Sequence, residues 1–239
     1  KKHWHWLAYL FSAFGVLTVF GTGNATQVNT ITAAVNSALI NELISYFDVT
    51  NDNELSNLFT IYNNGNITSS NISDSQKLTV VFKYLGLSCN GNEIVRSLDE
   101  LKSAAIKIFN DDSFVDLVTK NNEASFDQYS VSYNIESSTY TIKLNSCVTS
   151  NDFTFKSLLK ATQSEDEIYI YEAFGYLVNT GTNQYVVYDN ALRTNKLGEY
   201  VDENGNKEFK EVNQLKQYKW TFKKSSDNNY YFVSVTPSI

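Results

Sequence analysis

Apolar residues follow three regimes along this chain: an unbroken run near the start, a spacing of three to four through the middle, and alternation with polar residues in the second half. From His3 through Asn41 there is no Lys, Arg, Asp or Glu. The most apolar part of this stretch is Trp6-Leu-Ala-Tyr-Leu-Phe-Ser-Ala-Phe-Gly-Val-Leu-Thr-Val-Phe20. A helix from Trp4 to Gly23 would be ~30 Å long, which matches the hydrocarbon core of a bilayer. Past a small, polar stretch, Ile31, Val35, Leu39, Leu43 and Tyr46/Phe47 recur at helical spacing and predict an amphipathic helix. Leu55, Leu58, Phe59 and Tyr62 extend that character briefly, and the turn-forming run 63–73 breaks it.

Two further helices are predicted in the first half. One covers Gln76 to Leu85, capped by Asp74 or Ser75 and closed by Gly86. The other covers Glu93 to Phe109, with Ile94, Leu98, Leu101, Ala104/Ala105 and Ile108 on one face. Phe114 to Val118 adds a short turn.

The period then changes from 3.6 to 2. Tyr129/Val131/Tyr133/Ile135 and Tyr140/Ile142/Leu144 alternate with polar residues across Glu136-Ser-Ser138, a hairpin. A brief helix is expected at Phe153 to Ala161. Strands are expected at Ile168 to Val178, Gln184 to Tyr188, Glu199 to Val201, Glu208 to Val212, Tyr218 to Lys223 and Tyr230 to Val235, with Asn204-Gly205 as a turn. In Tyr218-Lys-Trp-Thr-Phe222 the aromatics face one way and Lys219, Thr221 and Lys223 the other, so one face of this sheet is buried and one is wet. The fold class is α+β: a transmembrane or signal helix, a small helical half, then an antiparallel sheet. A cystatin-like or NTF2-like arrangement is one form this takes, by fold analogy.

Charge orients the leading segment. Lys1 and Lys2 precede it and the first acid, Glu42, comes well after, which places the N-terminus inside and the remainder outside the membrane. A cleaved signal peptide and a buried core helix are the alternatives. The expected organisation is a membrane or signal segment over 1–23, a juxtamembrane helix and polar linker over 24–73, and an extracytoplasmic α+β domain over 74–239. Met is absent, so the chain is expected to begin inside a longer precursor or to have been trimmed. Composition suits a folded domain: 14% aromatic residues and only 19% charged ones supply a core. The net charge of −7, with no concentrated basic run, argues against a nucleic-acid partner.

Candidate chemistry is constrained by histidine. The chain has two, His3 and His5, so the segment after residue 23 lacks the side chain that Ser-His-Asp or Cys-His catalysis and His-ligated zinc require. No metal and no cofactor are expected. Asp202-Glu-Asn-Gly-Asn206 opens like a calcium loop, but Lys207 stands where that loop needs Gly, and it reads as a hairpin turn. Ser157-Leu-Leu-Lys160 matches the S-x-x-K of acyl-transfer enzymes and Ser226-Asp-Asn228 its S-D-N companion, while the K-T-G element is missing. Glu165-Asp-Glu167 reads as a solvated turn. Cys89 and Cys147 would, if bonded, tie the helical half to the first hairpin and contribute about 4 kcal/mol by chain entropy; two unpaired thiols are the alternative. Asn24, Asn66 and Asn71 open glycosylation sequons. Among the strand aromatics, Tyr169, Tyr171, Tyr188, Trp220 and Tyr231 are candidates for a stacking surface that takes a glycan or peptide, against the reading that such residues are core.

Tyr218-Lys-Trp-Thr-Phe-Lys-Lys224 followed by Asn229-Tyr-Tyr-Phe-Val-Ser-Val235, together with the leading segment and the helix ending Ala-Ile-Lys-Ile-Phe109, resembles uncharacterised single-span envelope proteins of AT-rich bacteria. The resemblance implies an extracytoplasmic α+β domain and carries no catalytic residue. The function expected is therefore a non-catalytic binding domain at the envelope, attached to the membrane through its N-terminal helix, with a protein, peptide or surface polymer as partner. The alternative is an envelope hydrolase or acyl-transferase using Ser157 and Lys160 or paired carboxylates.

Overall fold

The structure, a computed structural model, describes residues 37–47, 66–88, 93–120, 123–126, 129–145, 152–190, 192–201 and 214–238. The leading segment Trp4–Gly23, both histidines, both cysteines, the turn at Asn204-Gly205 and the strand expected at Glu208–Val212 lie outside these residues. Among the described residues no helix is long and apolar enough to cross a membrane. The chain divides into two compact units, Lys1–Glu42 and Leu43–Ile239. The described part of the first is helical, residues 37–42; the described part of this helix, α1, runs to residue 45 and the chain turns at 46–47. The rest of the description concerns the second unit.

Two helices here are set by reciprocal caps. Helix α2, Asp74–Tyr84, starts one position earlier than the expected Asp74 or Ser75 caps allow. Ser73 is its N-cap, accepting from the Gln76 N–H while the Gln76 side chain accepts from the Ser73 N–H at 3.0 Å. Its C-terminus closes as anticipated at Gly86, whose φ of 104° suits a residue without Cβ. The Gly86 N–H reaches the Lys83 carbonyl and the Leu87 N–H the Phe82 carbonyl, each at 3.0 Å, which satisfies two end carbonyls.

The helix expected over Glu93–Phe109 is a strand followed by a helix. Residues Glu93–Ser97 form β2, and α3 covers Leu98–Phe109. Ile94 sits at helical spacing from Leu98 and so mimics a continuation, yet Ser97-x-x-Glu100 is itself a helix-start signal. Ser97 accepts from the Glu100 N–H, and Glu100 accepts the Ser97 N–H at 2.8 Å. These hydrogen bonds from the Ser97 backbone and hydroxyl hold the Glu100 carboxyl below its ordinary pKa. Asn110, left-handed at φ 55°, ends the helix. A 3-10 turn, Ser113–Val115, and helix α4, Asp116–Lys120, follow. Lys77, nearly buried, runs between the Phe109 and Phe114 rings and meets Asp111 at 3.3 Å. Burial pushes the Asp111 carboxyl up, but hydrogen bonds from Ser113 and Lys77 outweigh it and keep the pKa low.

The smaller sheet has the order β2-β5-β4-β3, all antiparallel, with β3 at Glu123–Phe126, β4 at Tyr129–Asn134 and β5 at Thr139–Leu144. The β4–β5 hairpin is the predicted one, except that Ile135 belongs to the turn and is 81% exposed. Ile94, Ile142 and Val131 share a row on the buried face, and Phe82 of α2 packs edge-on to Tyr129. Ser132, Thr141 and Lys143 lie on the other face.

The larger sheet is built around β7, Glu167–Gly181. One edge of β7 is paired by β6, Phe153–Gln163, an eleven-residue strand where a brief helix was expected. A bulge between Leu158 and Lys160 explains the misreading: its extra residue creates the doublet Leu158-Leu159, and with Phe155 this gives the i, i+3, i+4 spacing of a helix. The other edge is shared. Strand β10, Lys216–Lys224, pairs Glu167 to Phe174, and β8, Gln184–Tyr188, pairs Tyr176 to Gly181. Beyond them, β11 (Tyr230–Ser238) pairs β10, and β9 (Lys196–Val201) pairs β8. The two-residue strand β1, Ile67–Thr68, lies at the β11 edge, within the stretch read from sequence as turn alone.

At the changeover on β7 stands Gly175. A Cβ there would lie 2.8 Å from Leu215 Cδ2, so the absence of a side chain lets Leu215 close over the fork between β8 and β10. The main core is aromatic and covers one face. Phe47 stacks on Trp220 at 5.5 Å and tilts against Phe232 at 4.7 Å, and Phe109 of α3 meets Phe232 edge-on. Phe222 and Phe232 are essentially buried. Each full burial of such a ring contributes roughly 1.5–3 kcal/mol.

Candidate functional site

The opposite face of the large sheet has two characters. From Ala173 onward it is dry: Ala173, Leu177, Tyr185, Val187 and Leu215 form a second apolar cluster against Phe155, Leu197 and Tyr200. Toward the start of β7 it carries tyrosines, lysines and hydroxyls. The expectation of one buried and one wet face therefore holds for only part of the sheet.

Strand register sets the wet part into rows. Lys160 of β6, Tyr171 of β7, Lys219 of β10 and Thr236 of β11 are consecutive cross-strand neighbours. The next row is Thr162, Tyr169, Thr221 and Ser234, and the third runs from Glu167 through Lys223 to Tyr231. Neighbouring strands lie ~5 Å apart and same-face residues ~7 Å apart along a strand, so the backbones carrying Lys160 and Lys219 are ~10 Å apart with Tyr171 between them. Tyr169, Tyr171, Lys219 and Thr221 project from β7 and β10, each paired on both sides, whereas Lys160 and Thr162 lie on β6, whose only strand partner among the described residues is β7.

The lysines lie over the rings. Lys160 Nζ is 4.4 Å from the Tyr171 ring centroid and Lys219 Nζ is 5.2 Å from that of Tyr169. Each such contact at an exposed site is worth ~0.5–1 kcal/mol. The Tyr169 hydroxyl donates to the Glu167 carboxylate, and this hydrogen bond raises the Tyr169 pKa, as does the like charge that a phenolate would bring beside Glu167. Thr221, at the centre, is nearly buried beneath the larger side chains around it. The arrangement can offer ammonium and hydroxyl groups to an approaching ligand, with ring edges between them.

The residues singled out in the sequence distribute unevenly. Tyr169, Tyr171 and Tyr231 are on this face. Tyr188 pairs with Tyr176 and is on the opposite side of the sheet. Trp220 is 4% exposed, in the core between Phe47 and Phe174. Ser157 and Lys160 occupy adjacent rows of the same face, separated by the bulge, with the Lys160 ammonium over the Tyr171 ring. Ser226-Asp-Asn228 forms the β10–β11 turn. Ser157 shares its row with Gln217, and from Gln217 to the end of β10 at Lys224 is roughly 24 Å of strand, so the S-x-x-K and S-D-N patterns do not converge. Glu165 and Asp166 are exposed in the β6–β7 turn. Among the described residues no group of three or more His, Cys, Asp or Glu is placed to hold a metal ion.

Lys160, Lys219, Lys223 and Thr221 were not expected to act together. Alternation in Tyr218–Lys223 assigned Lys219 and Lys223 a common side, but Lys160 joins them only through β7, which no local pattern reveals. A second polar cluster was also missed, at the fork. Asp189 accepts from the Asn195 N–H at 3.1 Å and from Asn195 Nδ2 at 2.9 Å, with Lys216 at 3.8 Å, while Arg193 donates to Asp152 at 2.9 Å. Burial, and then the Asp189 charge, push the nearby Tyr218 hydroxyl up to about 12. These groups are engaged with one another and with backbone, which makes the cluster a brace for the loop after β8. Comparison with protein-family models, curated proteins and solved structures found no match.

Proposed function

We propose that this chain is a non-catalytic binding protein of the cell envelope, held to the membrane by the segment Trp4–Gly23, with its α+β domain outside and the tyrosine and lysine face of the large sheet as its binding surface. The observation that carries this reading is the row Lys160–Tyr171–Lys219: two cations and a ring in register on three hydrogen-bonded strands. A rigid, chemically mixed face of this kind suits recognition, because little side-chain order has to be imposed when a ligand arrives. The finer fold reading, cystatin-like or NTF2-like, is supported by α3 packing against β11 on one face while the other face stays open at this end.

A photoreactive phenylalanine analogue placed at position 171 of the full-length protein in its own cells tests the reading. Light should give a covalent adduct, while the same analogue at Ile106, an exposed position on α3, should give none. Absence of any adduct at 171 above the Ile106 level would overturn it.

A further inference from the structure

Resting on that reading of the face, we infer that the ligand is an anionic polysaccharide whose carboxylates bridge Lys160 and Lys219. The chain carries a formal charge of −7, yet these rows hold Lys160, Lys219 and Lys223 against one acid, Glu167, whose carboxylate already accepts the Tyr169 hydroxyl. Glu165 and Asp166, exposed in the β6–β7 turn, lie past the Glu167 row, so it is around Lys160 and Lys219 that the rows are positive, opposite in sign to the whole molecule, and select negative groups. Around the cations stand hydroxyls of Thr162, Thr221, Ser234 and Thr236, with a repeat of ~7 Å along the strands and ~5 Å across them. A polymer that repeats both acid and hydroxyl groups matches such a lattice.

Three other ligand classes fit less well. A neutral glycan or single-stranded nucleic acid would stack on free aromatic faces, but ammonium groups lie over the rings of Tyr169 and Tyr171. An acidic peptide gains most of its affinity from buried apolar anchors or from pairing with an open strand edge. The three rows present Lys, Tyr, Thr, Ser and Glu, with no aliphatic anchor; β7 and β10 are paired on both sides, and of the strands carrying Lys160, Tyr171 and Lys219 only β6 has an edge without a strand partner among the described residues.

The test uses the purified full-length protein and a decamer of galacturonic acid, with binding followed by calorimetry. Wild type should bind the decamer, and the affinity should fall as salt is raised, since the charges face solvent. Lys160→Gln with Lys219→Gln should weaken binding at least tenfold. Lys143→Gln with Lys196→Gln removes the same charge from exposed positions elsewhere and should change affinity less than twofold. A neutral maltodextrin of equal length should not bind measurably, and an oligoglutamate and an oligothymidylate should bind at least tenfold more weakly. The inference is overturned if the decamer does not bind, if the two double variants behave alike, or if the peptide, the oligonucleotide or the neutral sugar binds as tightly. Should it fail while the photo-adduct at position 171 persists, only the ligand class falls; should both fail, the face is not the site.

Discussion

Along the open side of β7 the same alternation produces two different surfaces. Tyr169 and Tyr171 lie among lysines and threonines, whereas Ala173 and Leu177, on the same side of the same strand, belong to an apolar cluster. The difference follows the partners: Ala173 is the last open-side residue of β7 that pairs β10, β8 flanks the part beyond Gly175, and the chain between β8 and β10 returns Leu215 over Gly175. One half of the sheet is thereby committed to stability and the other is left available to solvent. Mutations on the two halves, and on the two faces, should separate accordingly.

The widest separation is expected between neighbours on β11. Phe232 is buried among Phe47, Phe109, Trp220 and Phe222, so Phe232→Ala should destabilise by about 3–5 kcal/mol. Tyr231, one residue away on the lysine side, should cost under ~1 kcal/mol on truncation to Ala, in line with partly exposed positions. Urea unfolding of the two variants measures this; similar midpoints would mean that the lysine face is covered like the other.

Next comes the fork itself. Gly175→Val places a branched side chain where even a Cβ would be 2.8 Å from Leu215, and overpacking of this kind costs about 1–3 kcal/mol. Leu215→Ala in the same background should restore part of that loss, a coupling that a double-mutant cycle reads directly. Additive losses would show that Leu215 does not close the fork. A smaller effect, about 1 kcal/mol, is expected for Ser97→Ala, which removes the hydroxyl that caps α3. Because the Glu100 pKa is lowered in the folded chain, the Glu100 half of that cap contributes in full above the ordinary carboxylate pKa and is lost as pH falls from there through the lower folded value.

How much of this was legible follows from the range of the interactions. The α+β class, the β4–β5 hairpin, and β8, β10 and β11 were readable because period-2 alternation and turn residues are local. Strand β6 was not, since a bulge gives a strand the spacing of a helix, and β2 was hidden by an Ile94 that falls in phase with the helix after it. The lysine face was half legible. Tyr218 to Lys223 assigned Lys219 and Lys223 to one side, but the partners they gain from β6 and β7 depend on register over long separations. Trp220 shows the converse: its chemistry suggested a ligand surface, and packing against Phe47 and Phe232 places it in the core.

The finest discrimination between the two faces is alkaline. Tyr218 is 3% exposed and its hydroxyl is raised to about 12, first by burial and then by Asp189, whereas an unfolded tyrosine titrates near 10. Up to pH 10 both states keep the proton and Tyr218 contributes nothing to the pH dependence. Between 10 and about 12 the unfolded chain loses it while the folded chain holds it, so unfolding is increasingly favoured and stability falls as pH rises. Tyr218→Phe should flatten that part of the profile in urea titrations between pH 9 and 11.5. Tyr231→Phe, on the partly exposed lysine side of the sheet, is the matched control and should leave it unchanged. Equal flattening by the two substitutions would mean that burial at the fork does not set the Tyr218 proton affinity.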